Sequence, residues 1–167
     1  MYIIRDILVP TDFSEFSASA VEYATTLAQL HGATIHLMHV IEESTMATPS
    51  LPGGATDSAA TEEAEAADHM HNFVYWKLKD NTNIKEVVCR GKPYREIVRY
   101  AQREEIDLIV IATHGRTGLA HVLMGSVAEK VIRLSHVPVL AVKPKQMRDS
   151  LVTREDIEQD LNMLGPE

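Results

Sequence analysis

The sequence contains a single cysteine, Cys89, so the chain cannot form an internal disulfide. A lone thiol is typical of a reducing compartment, and we expect a cytoplasmic protein. No apolar run approaches the ~18–20 residues that a membrane span needs. Residues 1–6 place an acid at the sixth position and lead to no small-residue cleavage site, so they do not resemble a signal peptide. The sequence therefore predicts neither secretion nor membrane insertion.

Basic residues are also scarce, since 16 Lys and Arg against 24 Asp and Glu give a formal net charge of −8. An acidic chain repels phosphate backbones, which argues against general nucleic-acid binding. The negative net charge does not exclude the binding of a small anionic ligand by local backbone amides. At 45% hydrophobic and 24% charged residues, the composition is that of a globular domain and excludes a disordered or collagenous chain.

Short apolar runs and helical periodicities alternate along the chain. The runs that predict strands are residues 7–9, 34–40, 84–89, 108–111 and 137–142. Four segments predict helices: one that ends at 31, one over 67–78, one that begins at 93, and one from 126 to 134. This alternation predicts an α/β fold, a single doubly wound domain with a parallel sheet and helices on both faces.

Two segments fall outside this alternation. Residues 42–60 are rich in Ser, Thr, Pro, Gly and Ala, which predicts a loop. Residues 144–167 form an acidic C-terminal tail, in which Thr153 and Asp156 could cap a short helix. The domain itself is expected over 1–143. Whether the tail is solvated or docks as a helix stays open.

The stretch from 112 to 126 has the strongest functional pattern. A buried strand ends there, a glycine-bearing loop follows, and Gly125 and Ser126 open a helix. Glycines let backbone amides approach a ligand, and a helix N-terminus favours anions. Ser126 adds a hydroxyl and Arg116 a cation. Phosphate binding and a plain turn with Ser126 as N-cap both remain open, and the absence of Gly-Lys-Ser or Gly-Lys-Thr excludes a Walker A loop.

Asp12 follows the first strand in the tripeptide Pro10-Thr11-Asp12. Its carboxylate could accept a ribose hydroxyl or join a metal shell, or Asp12 or Ser14 could simply cap the next helix. If the first and fourth strands are neighbours, Asp12 and the Gly115 loop face one crevice at the carboxyl edge of the sheet.

Taken together, these motifs resemble the universal stress protein family, in its UspA-like, ATP-binding branch. The resemblance covers residues 1–143. It rests on residues 7–14, 37–40, 91–93, 108–118, 125–131 and 137–142. It implies a Rossmann-like, five-stranded parallel sheet in the order 3-2-1-4-5, a homodimer formed through strand 5, and ATP as ligand. Mg²⁺ or Mn²⁺ would bind through the nucleotide's phosphates, without a dedicated metal site.

The family's phosphate pattern, Gly-x2-Gly-x9-Gly-Ser/Thr, has an alanine at its first position here. By resemblance, the phosphates would be held by Gly115, Gly125, Ser126 and Val127, with Arg116 touching a phosphate. Backbone groups of Val40 would meet adenine, Asp12 would meet the ribose, and Pro10 and Thr11 would shape that wall. Ala112 stands in place of the first glycine of the pattern. An alanine is tolerated there if φ is negative, and it is harmful if φ must be positive or if its methyl group meets the ribose.

The resulting hypothesis is a cytoplasmic stress-response or regulatory protein that binds ATP or another adenine nucleotide and hydrolyses it little or not at all, because no acid–base pair is apparent. A nucleotide-free dimerising interaction module, in which Ala112 has closed the site, is the alternative. An ATP pyrophosphatase is disfavoured, because such enzymes carry a Ser-Gly-Gly loop after the first strand. The sequence does not identify the protein partner.

Overall fold

A computed structural model describes residues 3–42, 55–78, 83–115 and 124–143, in which strands and helices alternate strictly. The strands are β1 (Asp6–Pro10), β2 (Thr34–Glu42), β3 (Ile84–Gly91), β4 (Leu108–Ala112) and β5 (Val139–Val142). The helices are α1 (Glu15–His31), α2 (Ala55–Lys77), α3 (Pro93–Arg103) and α4 (Ser126–Leu134). None of these helices is long and apolar enough to span a bilayer.

All five strands run parallel in the order β3-β2-β1-β4-β5, which confirms the predicted α/β fold and strand order. Ile7 of β1 pairs with Ile35 of β2 on one side and with Leu108 of β4 on the other. The chain therefore winds outwards in both directions from β1. As a result, the loops after β1 and β4 leave the same edge of the sheet, at the point where the strand order reverses.

The core has two halves, because side chains alternate across each strand. Ile7, Val9 and Val110 face α1 and α2, whereas Leu8 and Ile109 face α3 and α4. These five side chains are 0% exposed. Burying each contributes about 1.5–3 kcal/mol before conformational entropy is counted. The sheet is thus covered on both faces, as expected for parallel strands.

Helix α1 begins and ends at sequence signals. Ser14 is its N-cap, and the Ser14 side chain accepts a hydrogen bond from Ser17 N at 3.1 Å. Gly32 is the C-cap with φ 68°, a left-handed conformation that costs glycine little, and its N–H donates to Ala28 O. The predicted helix end at His31 is confirmed.

Other boundaries differ from the prediction. β2 continues to Glu42, and α2 begins at Ala55, so residues 55–60 of the predicted loop are helical. Alanine-rich sequence without an apolar stripe still favours a helix, which explains the error. β5 begins only at Val139, since Pro138 has no N–H to donate. Residues 43–54 and the tail 144–167 lie outside the described residues.

Candidate functional site

A crevice of about 550 Å³ opens at the carboxyl ends of β1, β2 and β4. The loops after β1 and β4 and the first turns of α3 and α4 form its walls. Its floor is apolar and is contributed by Met38, Ile97 and Ile111, whereas Asp12 and Ser126 lie on its lining as polar residues. An apolar floor beneath a polar rim suits a ligand with a flat apolar part and a charged part.

Nine of the ten residues predicted for the site line this crevice. They are Pro10, Thr11, Asp12, Val40, Ala112, Gly115, Gly125, Ser126 and Val127. The tenth, Arg116, lies outside the described residues. The strand order brings together three regions that are far apart in the chain: the loop after β1, the end of β2, and the connection from β4 to α4.

Asp12 fits both alternatives that the sequence left open, since it supports the cap of α1 and also borders the crevice. Its Oδ1 accepts hydrogen bonds from Ser14 N at 3.0 Å and from Ser14 Oγ at 2.5 Å, and so supports the N-cap of α1. Its Oδ2 lies on the side of Gly115, at 2.6 Å from the place that a Cβ on residue 115 would take. The carboxylate therefore stabilises the start of α1 and borders the crevice at once.

All polar groups of Thr11 form hydrogen bonds with neighbouring residues of the crevice wall and α1. Its N–H donates to Met38 O at 2.8 Å, and its carbonyl accepts from His39 Nδ1 at 2.8 Å. The hydroxyl bonds to Ser17 Oγ at 3.0 Å and accepts from Phe13 N at 3.0 Å. The side chain is 6% exposed, so Thr11 holds the loop in position rather than offering a free hydroxyl to a ligand.

Phe13 has an unusual backbone conformation, with φ 63°. This left-handed region is costly for an aromatic residue, by about 1–3 kcal/mol. The phenyl ring stacks on His39 at 4.3 Å between centroids and packs on Phe73 at 5.8 Å, contacts that offset the strain. The turn at Phe13 lets Asp12 border the crevice while Ser14 caps α1. Sequence patterns carried no signal for it.

The loop after β4 meets α4 at Gly125, which is the N-cap residue, with φ −67° and ψ 148°. Ser126 is the first residue of the helix, so the interpretation of Ser126 as N-cap is wrong. Gly125 N donates to Thr113 O at 2.7 Å, and Gly125, as the N-cap residue, has no side chain with which to cap this helix start. The first-turn N–H groups of α4 therefore open towards the crevice with the positive end of the helix dipole.

Ala112 leaves the phosphate pattern sterically intact. Among the described non-glycine residues only Phe13 and Glu105 have positive φ, so Ala112 does not need a glycine conformation. Its side chain belongs to the buried cluster beneath α1, together with Val110 and Val142. The extra methyl group packs into the core and does not close the crevice.

The apolar floor has no signal of its own in the sequence. Met38, Pro93, Ile97 and Ile111 line the crevice, but their spacing is that of ordinary core residues. Only the strand order, which sets α3 and α4 beside the ends of β2 and β4, shows that they also face a ligand space. No group of three or more His, Cys, Asp or Glu in the described part of the chain is arranged to hold a metal ion.

Comparison with known proteins agrees with this architecture. The model of the universal stress protein family matches residues 4–143. The chain belongs to the universal stress protein family. Universal stress protein MJ0577 of Methanocaldococcus jannaschii is 35% identical over 156 residues, which cover 84% of this chain and 96% of that protein.

Two solved universal stress proteins have the same fold. UspA from Lactobacillus plantarum superposes with a TM-score of 0.73 at 30% identity, covering 83% of this chain and 97% of that one. The universal stress protein from Archaeoglobus fulgidus, solved in complex with dAMP, superposes with a TM-score of 0.59 at 26% identity, covering 86% of this chain and 100% of that one.

Proposed function

We propose that this universal stress protein binds an adenine nucleotide, with ATP as the ligand, in the crevice between the loops after β1 and β4. The observation that carries the proposal is the start of α4, whose N-cap is a glycine without a capping side chain and which lines a crevice with an apolar floor. The dAMP complex of the Archaeoglobus fulgidus relative supports an adenine nucleotide as the class of ligand.

The chemistry of the crevice suits the parts of such a ligand. Backbone N–H groups at Gly125, Ser126 and Val127 would hold the phosphates, because a helix N-terminus stabilises negative charge. The adenine would lie over the apolar floor near Val40, and the ribose would meet Asp12. Mg²⁺ or Mn²⁺ would be held through the phosphates of the nucleotide.

We propose that the bound nucleotide acts as a regulatory signal and is hydrolysed slowly or not at all. His114, a titratable residue on the crevice lining, is 7% exposed, and its Nδ1 hydrogen-bonds to Thr113 Oγ1 at 2.9 Å. It is therefore poorly placed to activate a water molecule. A regulatory ligand acts by binding one conformational or oligomeric state better than another.

The nucleotide would favour one state of a homodimer that forms through β5. We place this homodimer in the cytoplasm. A further protein, still to be identified, would bind it. β5 is an edge strand, and Leu140 on it is 38% exposed. The carbonyls of Pro138 and Val142 accept hydrogen bonds from the N–H groups of Ile109 and Thr113. Because successive residues of a parallel strand alternate in direction, the N–H of Ala141 points away from β4. Ile132 and Leu134 on the adjacent α4 are 40% and 53% exposed, which extends the apolar edge.

Two measurements test nucleotide binding directly. Mass spectrometry of the small molecules released on denaturation should identify an adenine nucleotide. ATP added at 100 times its Kd should stabilise the protein by about 2.7 kcal/mol. Gly125→Val should abolish this stabilisation, because even the first carbon of the new side chain would lie 3.3 Å from Thr113 O.

The control for that variant is Arg133→Lys, on the exposed part of the same helix, which should keep the full response to ATP. If ATP, ADP and AMP all leave the melting temperature of the unmodified protein unchanged while a dimer persists, the nucleotide-free interaction module replaces this proposal. A dimer that survives Ala141→Pro unchanged would contradict pairing through β5.

A further inference from the structure

Two cations contact one tyrosine beside the crevice, where α3 and α4 meet. Lys130 Nζ lies 5.0 Å and Arg95 Cζ lies 5.9 Å from the centre of the Tyr94 ring. Arg95 Nε also donates to Tyr94 Oη at 3.1 Å. That hydrogen bond, together with the positive charges of Arg95, Lys130 and Lys92, lowers the pKa of Tyr94. We call Lys92, Arg95 and Lys130, with Tyr94 between them, the basic lip.

The cations of the basic lip differ from other arginines on the same two helices. Arg99 pairs with Glu96 at 3.0 Å, and Arg133 pairs with Glu129 at 2.6 Å. Within the described ranges, no carboxylate forms an ion pair with any cation of the lip. Like charges repel one another, so neighbouring cations that pair with no described carboxylate cost free energy that a bound anion would recover.

The basic lip adjoins the crevice through both helices. Lys92 directly precedes Pro93, which lines the crevice, and Lys130 lies one helical turn beyond Ser126, which also lines it. An anion bound at the lip would therefore sit next to the starts of α3 and α4, where the N-cap residues Lys92 and Gly125 form no side-chain capping hydrogen bond. The positive ends of both helix dipoles add to the three side-chain charges.

We propose that the basic lip is a second anion-binding site and that its ligand is a phosphate group. Two sources supply this chemistry: the distal phosphate of a nucleotide bound in the crevice, or a free polyphosphate. The first source rests on the proposed function, whereas the second does not. The guanidinium of Arg95 and the ammonium of Lys130 would donate to the phosphate oxygens, and Tyr94 would hold both cations in place.

The experiment uses the full chain and isothermal titration calorimetry with ATP, AMP and tripolyphosphate as separate probes. The test variant is Arg95→Gln/Lys130→Gln. The matched control is Arg99→Gln/Arg133→Gln, which removes the same charge from the same two helices but from cations that already have carboxylate partners. Circular dichroism melting checks that both variants fold.

If the phosphate belongs to the nucleotide, the test variant should bind ATP about tenfold more weakly than the control does, with AMP affinity unchanged. If it belongs to a free polyphosphate, tripolyphosphate binding should fall about tenfold while ATP and AMP affinities stay constant. Either loss should shrink as KCl is raised, because exposed charges are screened.

Equal behaviour of the test and control variants with every probe would overturn the proposal, and so would a wild-type protein that binds neither ATP nor tripolyphosphate. A wild-type protein that binds tripolyphosphate through the lip but neither ATP nor AMP would instead sink the proposed function and leave the second site standing. The two proposals therefore fail on different results.

Discussion

Asp12 and Gly115 lie against each other on the lining of the crevice, and only a glycine leaves room for that carboxylate. A Cβ on residue 115 would lie 2.6 Å from Asp12 Oδ2, well inside van der Waals contact. The carboxylate has little freedom to retreat, because its Oδ1 accepts two hydrogen bonds from Ser14. The loop after β4 can approach the loop after β1 this closely only because its residue at that point has no side chain.

Gly115→Ala should therefore weaken both the nucleotide site and the start of α1. The methyl group would displace the Asp12 carboxylate from Ser14, and losing support for an N-cap costs about 1 kcal/mol. ATP affinity, measured by calorimetry, should fall in the same variant. Gly32→Ala is the control: it strains a residue at φ 68° and lowers stability, but it should leave ATP affinity unchanged. Unaltered stability and affinity in Gly115→Ala would refute this account.

Ala112→Gly should lower stability without improving nucleotide binding. The alanine methyl packs in the core beneath α1, so its removal loses buried apolar surface, and glycine in a strand adds an entropic cost. Together these cost about 1–2 kcal/mol in chemical denaturation. ATP affinity should stay equal. A marked gain in affinity would mean that the methyl group obstructs the ligand after all.

The fold class could be predicted from local patterns, and nine of the twenty residues that line the crevice could be predicted from the glycine-bearing loops and the family resemblance. Apolar runs specify strands buried on both faces, and Gly32 and Pro93 mark a helix end and a helix start where the structure has them. Resemblance then supplied the strand order, which joins Asp12 to Gly115. The start of α2 at Ala55 was missed, since alanine-rich sequence shows helix propensity but no amphipathic stripe.

Features that depend on packing between distant residues left no sequence signal. The left-handed φ of Phe13 is held by its stack on His39 and its contact with Phe73, none of which a local motif reports. The basic lip needs α3 and α4 to be neighbours before Tyr94 can meet Lys130. Such contacts follow from topology, and topology is the part that single-sequence patterns specify least.

Tyr100→Phe should destabilise the protein by about 1–3 kcal/mol, because it leaves a buried group without its partner. His36 is 5% exposed, with Nδ1 2.8 Å from Tyr100 Oη and Nε2 3.0 Å from Asp6 Oδ1. Since the carboxylate only accepts, Nε2 carries a proton and, in neutral His36, Nδ1 accepts from the tyrosine. Tyr94→Phe, which removes a hydroxyl from the surface, is the control and should cost much less in urea denaturation. Equal losses would show that the buried hydrogen bond is not the cause.

Glu104 should contribute to stability at neutral pH and lose that contribution in acid. Hydrogen bonds from Lys85 Nζ at 2.6 Å and from Arg103 Nε at 2.9 Å lower the pKa of Glu104 to about 2. The folded state thus favours the ionised carboxylate. Its stabilisation is complete above the ordinary glutamate pKa near 4.5 and disappears as the pH falls from there towards 2.

Chemical denaturation between pH 7 and pH 2 checks this dependence. The measurement compares the stability of Glu104→Gln with that of the unmodified protein. The stability difference should be present at pH 7, shrink below about pH 4.5 and vanish near pH 2. It should also decrease at high salt, because the side chains of Lys85 and Arg103 are 50% and 63% exposed. Glu105→Gln is the control at the next position, where no ion pair to a described residue is lost, and it should cost less stability at pH 7 than Glu104→Gln does. A difference for Glu104→Gln that stays constant from pH 7 to pH 2 would show that Lys85 and Arg103 do not stabilise the charged form.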